Sequence, residues 1–539
     1  MEHFFAELKM YGRFAWGLRG YLSHKMSLTE VEAITRQRMA EREANFLRLV
    51  ERGIFGYSKS PYRPLLESAG CELGDIRNMV QTRGLETTLH ELRDSGVYIT
   101  FEEYKGRKPL VRHGKVFSIQ PRQFDNPFMS RHYHTITGGS TGAGSRVELD
   151  LDHLAADATH LGLVYHIHGA LNTPMAVWFG SLPDCTGLAS ILMRSRVGSI
   201  PLKWFSPVSD QELKPALKYR LANQGTIIAG RLFGTPIPWP EPIGPDQAAV
   251  IARWLSKTVA EHGAGLLVTH VSLAMRVCIA AMDEGLDLSN VTMMGGGEPP
   301  SPAKFRVIQS SGARWVPLYF FTETGAVGLG CANPVDENDL HFLRDALALI
   351  QCPRQVPGSD ITVEAFNFTT LLPTAPKLLL NVESDDYGII EKRSCGCPFE
   401  SYGFSEHIRA VRSFRKLTGE GVTLVGSEML HILEEVLPSR FGGSPLDYQL
   451  LEEEDQQGFT RLSLLVSPKI QIDDETQVLE TVLEALKRSS VAAHLAGELW
   501  KKAETIRIRR HEPILTAGGK FMPLRLAKLP HSETREENE

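Results

Sequence analysis

The sequence predicts an α/β protein, with a large layered N-terminal α/β unit over residues 1–411 and a smaller α+β unit over residues 412–539. Three observations carry this expectation. From Tyr98 onward, short β-branched and apolar runs alternate with helix-period stretches, the pattern of parallel strands joined by helices. A chain of 539 residues is too long for one core, so two or more folding units are required. After Arg412 the pattern changes to a compact succession of short strands and helices, which places the boundary near residues 411–416.

Taken in order, residues 4–22 mix Phe4, Phe5, Tyr11, Phe14, Trp16 and Tyr21 with Lys9, Arg13 and Arg19. Such a helix suits a core, a dimer partner or a membrane surface. Residues 28–52 are strongly periodic, with Thr29 as the expected N-cap, and the lead-in to about residue 95 is mainly helical. Buried strands are expected at 164–167, 265–269 and 291–294, with helices at 246–262 and 273–284 between them. In the second unit, strands at 422–425, 461–466 and 505–509 enclose helices at 428–437 and 476–487. The residues after 529 are polar and charged and read as a frayed tail.

Composition bounds the function. The chain is 42% hydrophobic and 23% charged, ordinary globular material, and its net charge of −6 supplies no overall basic field for nucleic acid. No apolar run is long enough to span a bilayer and the start carries no signal-peptide pattern. Seven cysteines in so long a chain do not form a disulfide framework, so a reducing, cytoplasmic setting is expected.

Thr137-Gly138-Gly139-Ser140-Thr141-Gly142-Ala143-Gly144-Ser145 packs four glycines among small hydroxyl residues. Glycines let successive N–H groups turn toward an anion, and the hydroxyls add donors, so the loop suits a polyphosphate. It is not a Walker loop, because no Gly-Lys-Ser/Thr follows at that spacing; a plain glycine-rich turn would read the same way. Downstream come Gly295-Gly296-Gly297-Glu298, Tyr319-Phe320-Phe321-Thr322-Glu323, Ser384-Asp385-Asp386-Tyr387-Gly388 and Gly518-Gly519-Lys520. In this order the five segments resemble the core motifs of the adenylate-forming (ANL) superfamily. Within it the chain is most similar to the phenylacetate–CoA ligase and acyl-protein synthetase branch, through Ser60-Pro61-Tyr62-Arg63, Ala69-Gly70 and the stretch from Gly421-Val422 to Ser427-Glu428-Met429. The resemblance covers roughly residues 40–525.

The resemblance implies an ATP- and Mg²⁺-dependent ligase that makes an acyl adenylate and passes the acyl group to a thiol, CoA by default. A carrier-protein phosphopantetheine, an amine or a protein are the alternative acceptors, and a non-catalytic nucleotide-binding scaffold is the alternative of another class. Joining a carboxylate to the α-phosphate brings two anions together, so such a site needs a phosphate cradle, a metal ligand, a nucleoside grip and a cation. By resemblance, Gly139, Ser140, Thr141 and Gly142 cradle the β- and γ-phosphates. Glu323 is the Mg²⁺ ligand, as suits a hard carboxylate beside phosphate oxygens, and Thr322 bonds the α-phosphate, although a helix N-cap would look alike. Gly297 and Glu298 lie beside adenine, Tyr319 belongs to the Tyr-x-x-Thr-Glu motif, and Asp386 takes the ribose hydroxyls with Asp385 as its neighbour. Arg412 contacts ribose or phosphate, and Lys520 is the catalytic lysine of the C-terminal unit.

Two departures stand out. The glycine-rich loop ends Gly144-Ser145 where many superfamily members have Pro-Lys, with Arg146 next, and Phe414 occupies the hinge where relatives carry aspartate. Cys331, His341, Cys395 and Cys397 form a C-x9-H…C-x-C set, a normal closed donor set for structural Zn²⁺ that branch members also show; small buried cysteines are the alternative. Cys71, Cys185, Cys278 and Cys352 read as core cysteines. The acid pocket is placed by resemblance near 178–188, 269–272 and 295–297. Its candidates are Trp178 and Phe179 for an aryl or apolar acid, and His166, His168 and His270 for its carboxylate. Many relatives pair as homodimers.

Overall fold

The computed structural model describes residues 2–129, 132–136, 146–213, 215–297, 300, 302–355, 362–413, 416–419, 422–425, 429, 431–443, 445–454, 460–489, 491–514 and 523–526. A twelve-stranded sheet organises most of it. Its strands are β1 (Met175–Trp178), β2 (Lys203–Ser206), β3 (Pro240–Pro242), β4 (Gly265–Val268), β5 (Val291–Gly295) and β6 (Arg314–Phe321). They continue as β7 (Gly325–Gly330), β8 (Leu340–Phe342), β9 (Leu347–Gln355), β10 (Thr362–Thr370), β11 (Val382–Lys392) and β12 (Glu406–Ser413). The spatial order is β9-β10-β11-β12-β8-β7-β6-β5-β4-β1-β2-β3.

The α/β expectation holds, and the sheet divides at β6. Every pair from β6 to β3 is parallel, and every pair from β6 to β9 is antiparallel. Parallel neighbours need a crossover of a dozen residues or more, which the helices Ala248–His262 and Val271–Asp283 supply between strands of the first half. Beyond β6 the connections shorten; three residues join β6 to β7, so that half folds as hairpins. The all-parallel expectation is thereby corrected for residues 314–413.

One expected strand is a helix. Residues 164–167 end the helix Leu151–Ile167, which starts where the Asp150 carboxylate accepts the N–H groups of Asp152 and His153 at 2.8 and 3.1 Å. Leu154, Ala158, Leu161, Leu163, Val164 and Tyr165 are buried, and so are the polar His153, Asp157 and His160, so the helix turns little of itself to solvent and its short apolar runs mimic a strand. The cap of the helix Leu28–Ala40 is Ser27, in a reciprocal capping box with Glu30, rather than Thr29. Phe14, Leu18, Tyr21 and Leu22 of the helix Glu2–Ser23 sit in the main core.

A second sheet runs β15-β14-β13-β16, comprising β13 (Tyr448–Glu454), β14 (Thr460–Val466), β15 (Ile506–Arg510) and β16 (Leu524–Leu526). The helices Glu475–Ser489 and Val491–Lys502 pack with it around Trp500, Leu464 and Val482. The expected strand at 422–425 pairs with Lys416–Gly419 as a separate hairpin instead. Val208, from the loop after β2, is buried in this second core, and the Arg276 guanidinium donates to the Ala503 carbonyl at 2.7 Å.

Candidate functional site

Two polar centres lie at the two ends of β7. The first is the turn between β6 and β7. Phe321 and Thr324 close it through a 3.2 Å backbone hydrogen bond, and Gly325 follows at φ 86°. Glycine is required there twice over. The left-handed φ disfavours other residues, and a Cβ would stand 2.3 Å from the Asp157 carboxylate and 2.5 Å from His153 on the helix beneath. Asp157 in turn accepts the Ala326 N–H at 3.3 Å, which seats the turn on that helix.

The turn presents Thr322 and Glu323. The Thr322 hydroxyl donates to Glu323 Oε2 at 3.1 Å, and Lys105 Nζ pairs with Glu323 Oε1 at the same distance. Lys105 is itself held over the rings of Tyr104 and Phe101, at 5.1 and 5.6 Å. The Lys377 N–H donates to the Glu323 carbonyl at 3.1 Å, and the Lys377 ammonium pairs with Asp125. An anionic carboxylate is therefore kept at the tip of the turn, partly buried, with one oxygen on an ammonium that a competing cation can displace.

Two residues before the turn, the β6–β7 register slips between Tyr319 and Phe320, a bulge that re-aims the tyrosine. The Tyr319 hydroxyl donates to Asp386 Oδ2 at 2.6 Å, and burial, reinforced by that carboxylate, raises its pKa well above the ordinary phenol value. It stays a donor at neutral pH. Asp386 is fixed further by its own N–H, which donates to the Ser384 hydroxyl. Asp385 turns elsewhere, accepting from Ser413 at 3.3 Å, so Asp386 is the member of the pair that meets Tyr319. Arg412 stands opposite Tyr387 in the β11–β12 register, one place along from Asp386.

The glycines after β5 have a packing reason. A Cβ on Gly295 would lie 1.6 Å from the Thr269 carbonyl oxygen, and one on Gly296 would lie 2.0 Å from that of Leu318. Gly297 follows, exposed, at φ 86°. His270 Nδ1 donates to the Gly296 carbonyl at 3.0 Å and its ring meets Phe179 edge-on at 4.8 Å, so His270, Phe179 and Gly296 converge. The other pocket candidates do not. Trp178 is fully buried with its indole N–H on the Ile243 carbonyl, His166 is exposed at a helix end, and His168 is a core residue bonded to the Gly330 carbonyl at 2.9 Å. Burial pulls the His168 pKa down. Gly139, Ser140, Thr141, Gly142, Glu298, Phe414 and Lys520 lie outside the described residues.

At the far end of β7 the four cysteine and histidine candidates meet. The donor atoms of Cys331, His341, Cys395 and Cys397 all lie within 4.8 Å of one another. A tetrahedral Zn²⁺ with bonds of about 2.3 Å needs sulfur–sulfur edges of roughly 3.8 Å, which this spacing reaches with small shifts. His341 Nδ1 donates to the Phe404 carbonyl at 2.8 Å, which leaves the Nε2 lone pair facing Cys395 Sγ at 3.7 Å. Backbone N–H groups of Asn333, Ala332 and Cys397 donate to the sulfurs of Cys331, Cys397 and Cys395 at 3.3–3.4 Å. Glu400 accepts the N–H groups of Cys395 and Gly396 and shapes their turn, with Gly396 at φ 70°. A hydrogen bond from Cys331 pulls the Cys397 thiol pKa down and pushes that of Cys331 up. The donor set and its support fit a closed metal site.

Beside it, His407 Nδ1 and Arg393 both donate to Asp339, at 2.7 and 2.5 Å, and the His407 ring stacks on His341 at 4.1 Å. Burial works to raise the Asp339 pKa, yet these donors hold it at about 2. Neither Asp339 nor Lys105 carries a local sequence signal; topology alone brings each to its centre. Of the expected core cysteines, Cys185, Cys278 and Cys352 are buried, whereas Cys71 is only half-buried.

No family model and no curated protein matches the chain. Among solved structures, 2-hydroxyisobutyryl-CoA ligase in complex with 2-HIB-AMP and CoA in the thioesterification state is similar over 91% of this chain and 90% of that one, with a TM-score of 0.55 and 16% identity. The same ligase in its postadenylation state matches over 90% and 89%, with a TM-score of 0.42 and 14% identity. A malonyl-CoA ligase holding methylmalonyl-CoA and AMP matches over 71% of each chain, also with a TM-score of 0.42 and 14% identity. The first of these establishes the fold: a large layered α/β region and a C-terminal α+β region, as in an AMP-forming CoA ligase.

Proposed function

We propose that this chain is an ATP- and Mg²⁺-dependent acid–thiol ligase that activates a carboxylic acid as its acyl adenylate and transfers the acyl group to a thiol, CoA first among acceptors. The observation that carries the reading is the Tyr319–Asp386 hydrogen bond, which joins two motifs 67 residues apart, with Thr322 three positions after the same tyrosine. In this reading Asp386 grips the ribose hydroxyls and Tyr319 holds that carboxylate in place. Glu323 would hold Mg²⁺, which neutralises phosphate charge when bound. Lys105 positions the same carboxylate beforehand. Thr322 donates to the α-phosphate, Gly139, Ser140, Thr141 and Gly142 cradle the other phosphates, and Gly297 and Glu298 border adenine. Arg412 and Lys520 supply the cations of the second unit, whose start we place at residue 412. Phe179 and His270 border the acid, its carboxylate toward the imidazole.

Cys331, His341, Cys395 and Cys397 would hold a structural Zn²⁺ with no open position for chemistry. That set, Ser60-Pro61-Tyr62-Arg63 and the glycine-rich loop without lysine together support the phenylacetate–CoA ligase side of the superfamily. The test is acid-dependent ATP–pyrophosphate exchange over a panel of aryl and aliphatic acids, with Lys520→Ala beside the intact chain. Exchange with one acid class that collapses in the variant is expected. ATP binding without exchange for any acid would favour a nucleotide-holding scaffold, and exchange without CoA-dependent turnover would move the acceptor to a carrier protein or an amine.

A further inference from the structure

The helix Leu217–Leu232, here α1, has an apolar face that none of the described residues covers. Leu217, Leu221, Ile228 and Leu232 are 68, 59, 51 and 74% exposed, and at 100° per residue they fall within an arc of about 60°. The opposite side, through Tyr219, Asn223, Thr226, Ile227 and Gly230, is buried, so the helix carries two distinct buried-type faces and uses only one inside the fold. Two tryptophans accompany the stripe. Trp239 is 42% exposed under the Arg231 guanidinium, 5.6 Å from its ring. Trp16, 89% exposed, stands on the helix Glu2–Ser23, which packs beside α1; positions Gly12 and Gly20, one turn to either side of it, have nothing within 4 Å of where a Cβ would be.

Charge selects the occupant. Between Leu217 and Leu232 the sequence has Lys218, Arg220 and Arg231 and no acid, in a chain whose net charge is −6. Arg13 and Arg19 extend the same sign onto the neighbouring helix, Arg19 lying over the Phe233 ring at 5.9 Å. A second copy fits poorly. Antiparallel pairing would match Leu217 with Leu232 and Leu221 with Ile228, but it would also bring Arg220 and Arg231 of both copies together at one rim and Lys218 of both at the other, with no acid on the helix to offset them. A helix face about 24 Å long and about 10 Å wide also falls well short of the roughly 800 Å² per partner of a stable interface. Among the described residues no helix is long and apolar enough to cross a membrane, so a lipid contact here is one that lies on the surface.

We propose that α1, with Trp16 and Trp239, is a docking face for an anionic lipid surface. The leucine and isoleucine side chains enter the headgroup–acyl boundary, the tryptophans sit at its level, and the lysine and arginine stems reach back to lipid phosphates. This inference is independent of the proposed ligase activity.

The experiment is flotation of the full-length protein with vesicles of phosphatidylcholine alone and with 30% phosphatidylglycerol, at two salt concentrations, with light scattering on the free protein. Binding to the anionic vesicles is expected, weak on phosphatidylcholine and falling with salt. Leu221→Glu and Ile228→Glu should each lower affinity more than tenfold, and Lys218→Gln, Arg220→Gln and Arg231→Gln about fivefold each. All five positions are exposed, so circular dichroism should show wild-type folding. Vesicle binding unchanged in the glutamate variants would overturn the proposal. So would a dimer that Leu221→Glu dissociates in a protein that does not bind vesicles, which would assign the face to a second copy.

Discussion

The two ends of β7 are built on opposite plans. At its start, Glu323 is held by an ammonium and a hydroxyl on a three-residue turn, contacts that a bound cation and phosphate can replace. At its end, four donors face one another, each oriented by backbone or by a buried partner, with no position left for a substrate. In the proposed reading, one strand separates a centre that exchanges ligands from one that keeps them.

If that division is right, substitutions should separate cleanly. Glu323→Gln should cut pyrophosphate exchange about 10²–10³-fold with bound zinc, measured by mass spectrometry, unchanged. Cys397→Ser should do the reverse in order. It should lose the metal and lower the melting temperature by about 5 °C, a stability loss of about 4 kcal/mol, with activity following the folded fraction. A loss of exchange at full folding would mean the closed centre reaches the chemistry directly.

Smaller effects sharpen the picture. Asp339 has a folded pKa of about 2, below its unfolded value, so its contribution is complete above about pH 4 and disappears as pH falls through 2. The amount is about 2 kcal/mol, and Asp339→Asn should remove that acid-limb dependence from urea melts run between pH 2 and 6. Tyr319→Phe leaves the ring and removes the hydrogen bond to Asp386, so KM for ATP should rise about tenfold while melting is unaffected. A fall in kcat alone would place Tyr319 nearer the reacting acid than the ribose.

Much of this was legible in the residues, for identifiable reasons. Strands 265–268 and 291–295 announce themselves because buried parallel strands are continuous apolar runs bounded by glycine or polar residues. Cys331, His341, Cys395 and Cys397 were readable as a set because few roles other than metal binding use that spacing. Residues 164–167 misled because a mostly buried helix ends there in an apolar run, with its polar stripe of His153, Asp157 and His160 turned inward. Lys105 left no trace. It lies 218 residues from Glu323, and a single lysine after two aromatics reads as surface until the fold closes. His153 and Asp157 were equally silent, although they explain why Gly325 must be glycine. The antiparallel half of the sheet was hidden because alternation patterns report strands, not their direction.

The most direct test of the central claim uses an acid found by exchange, labelled with ¹⁸O in its carboxylate, in a complete reaction with ATP and CoA. Attack of that carboxylate on the α-phosphate, followed by thioester formation, leaves one carboxylate oxygen on the nucleotide. The account predicts AMP carrying a single ¹⁸O, formed about 10²–10³-fold more slowly in Glu323→Gln. Unlabelled AMP, or ADP with labelled phosphate, would contradict it.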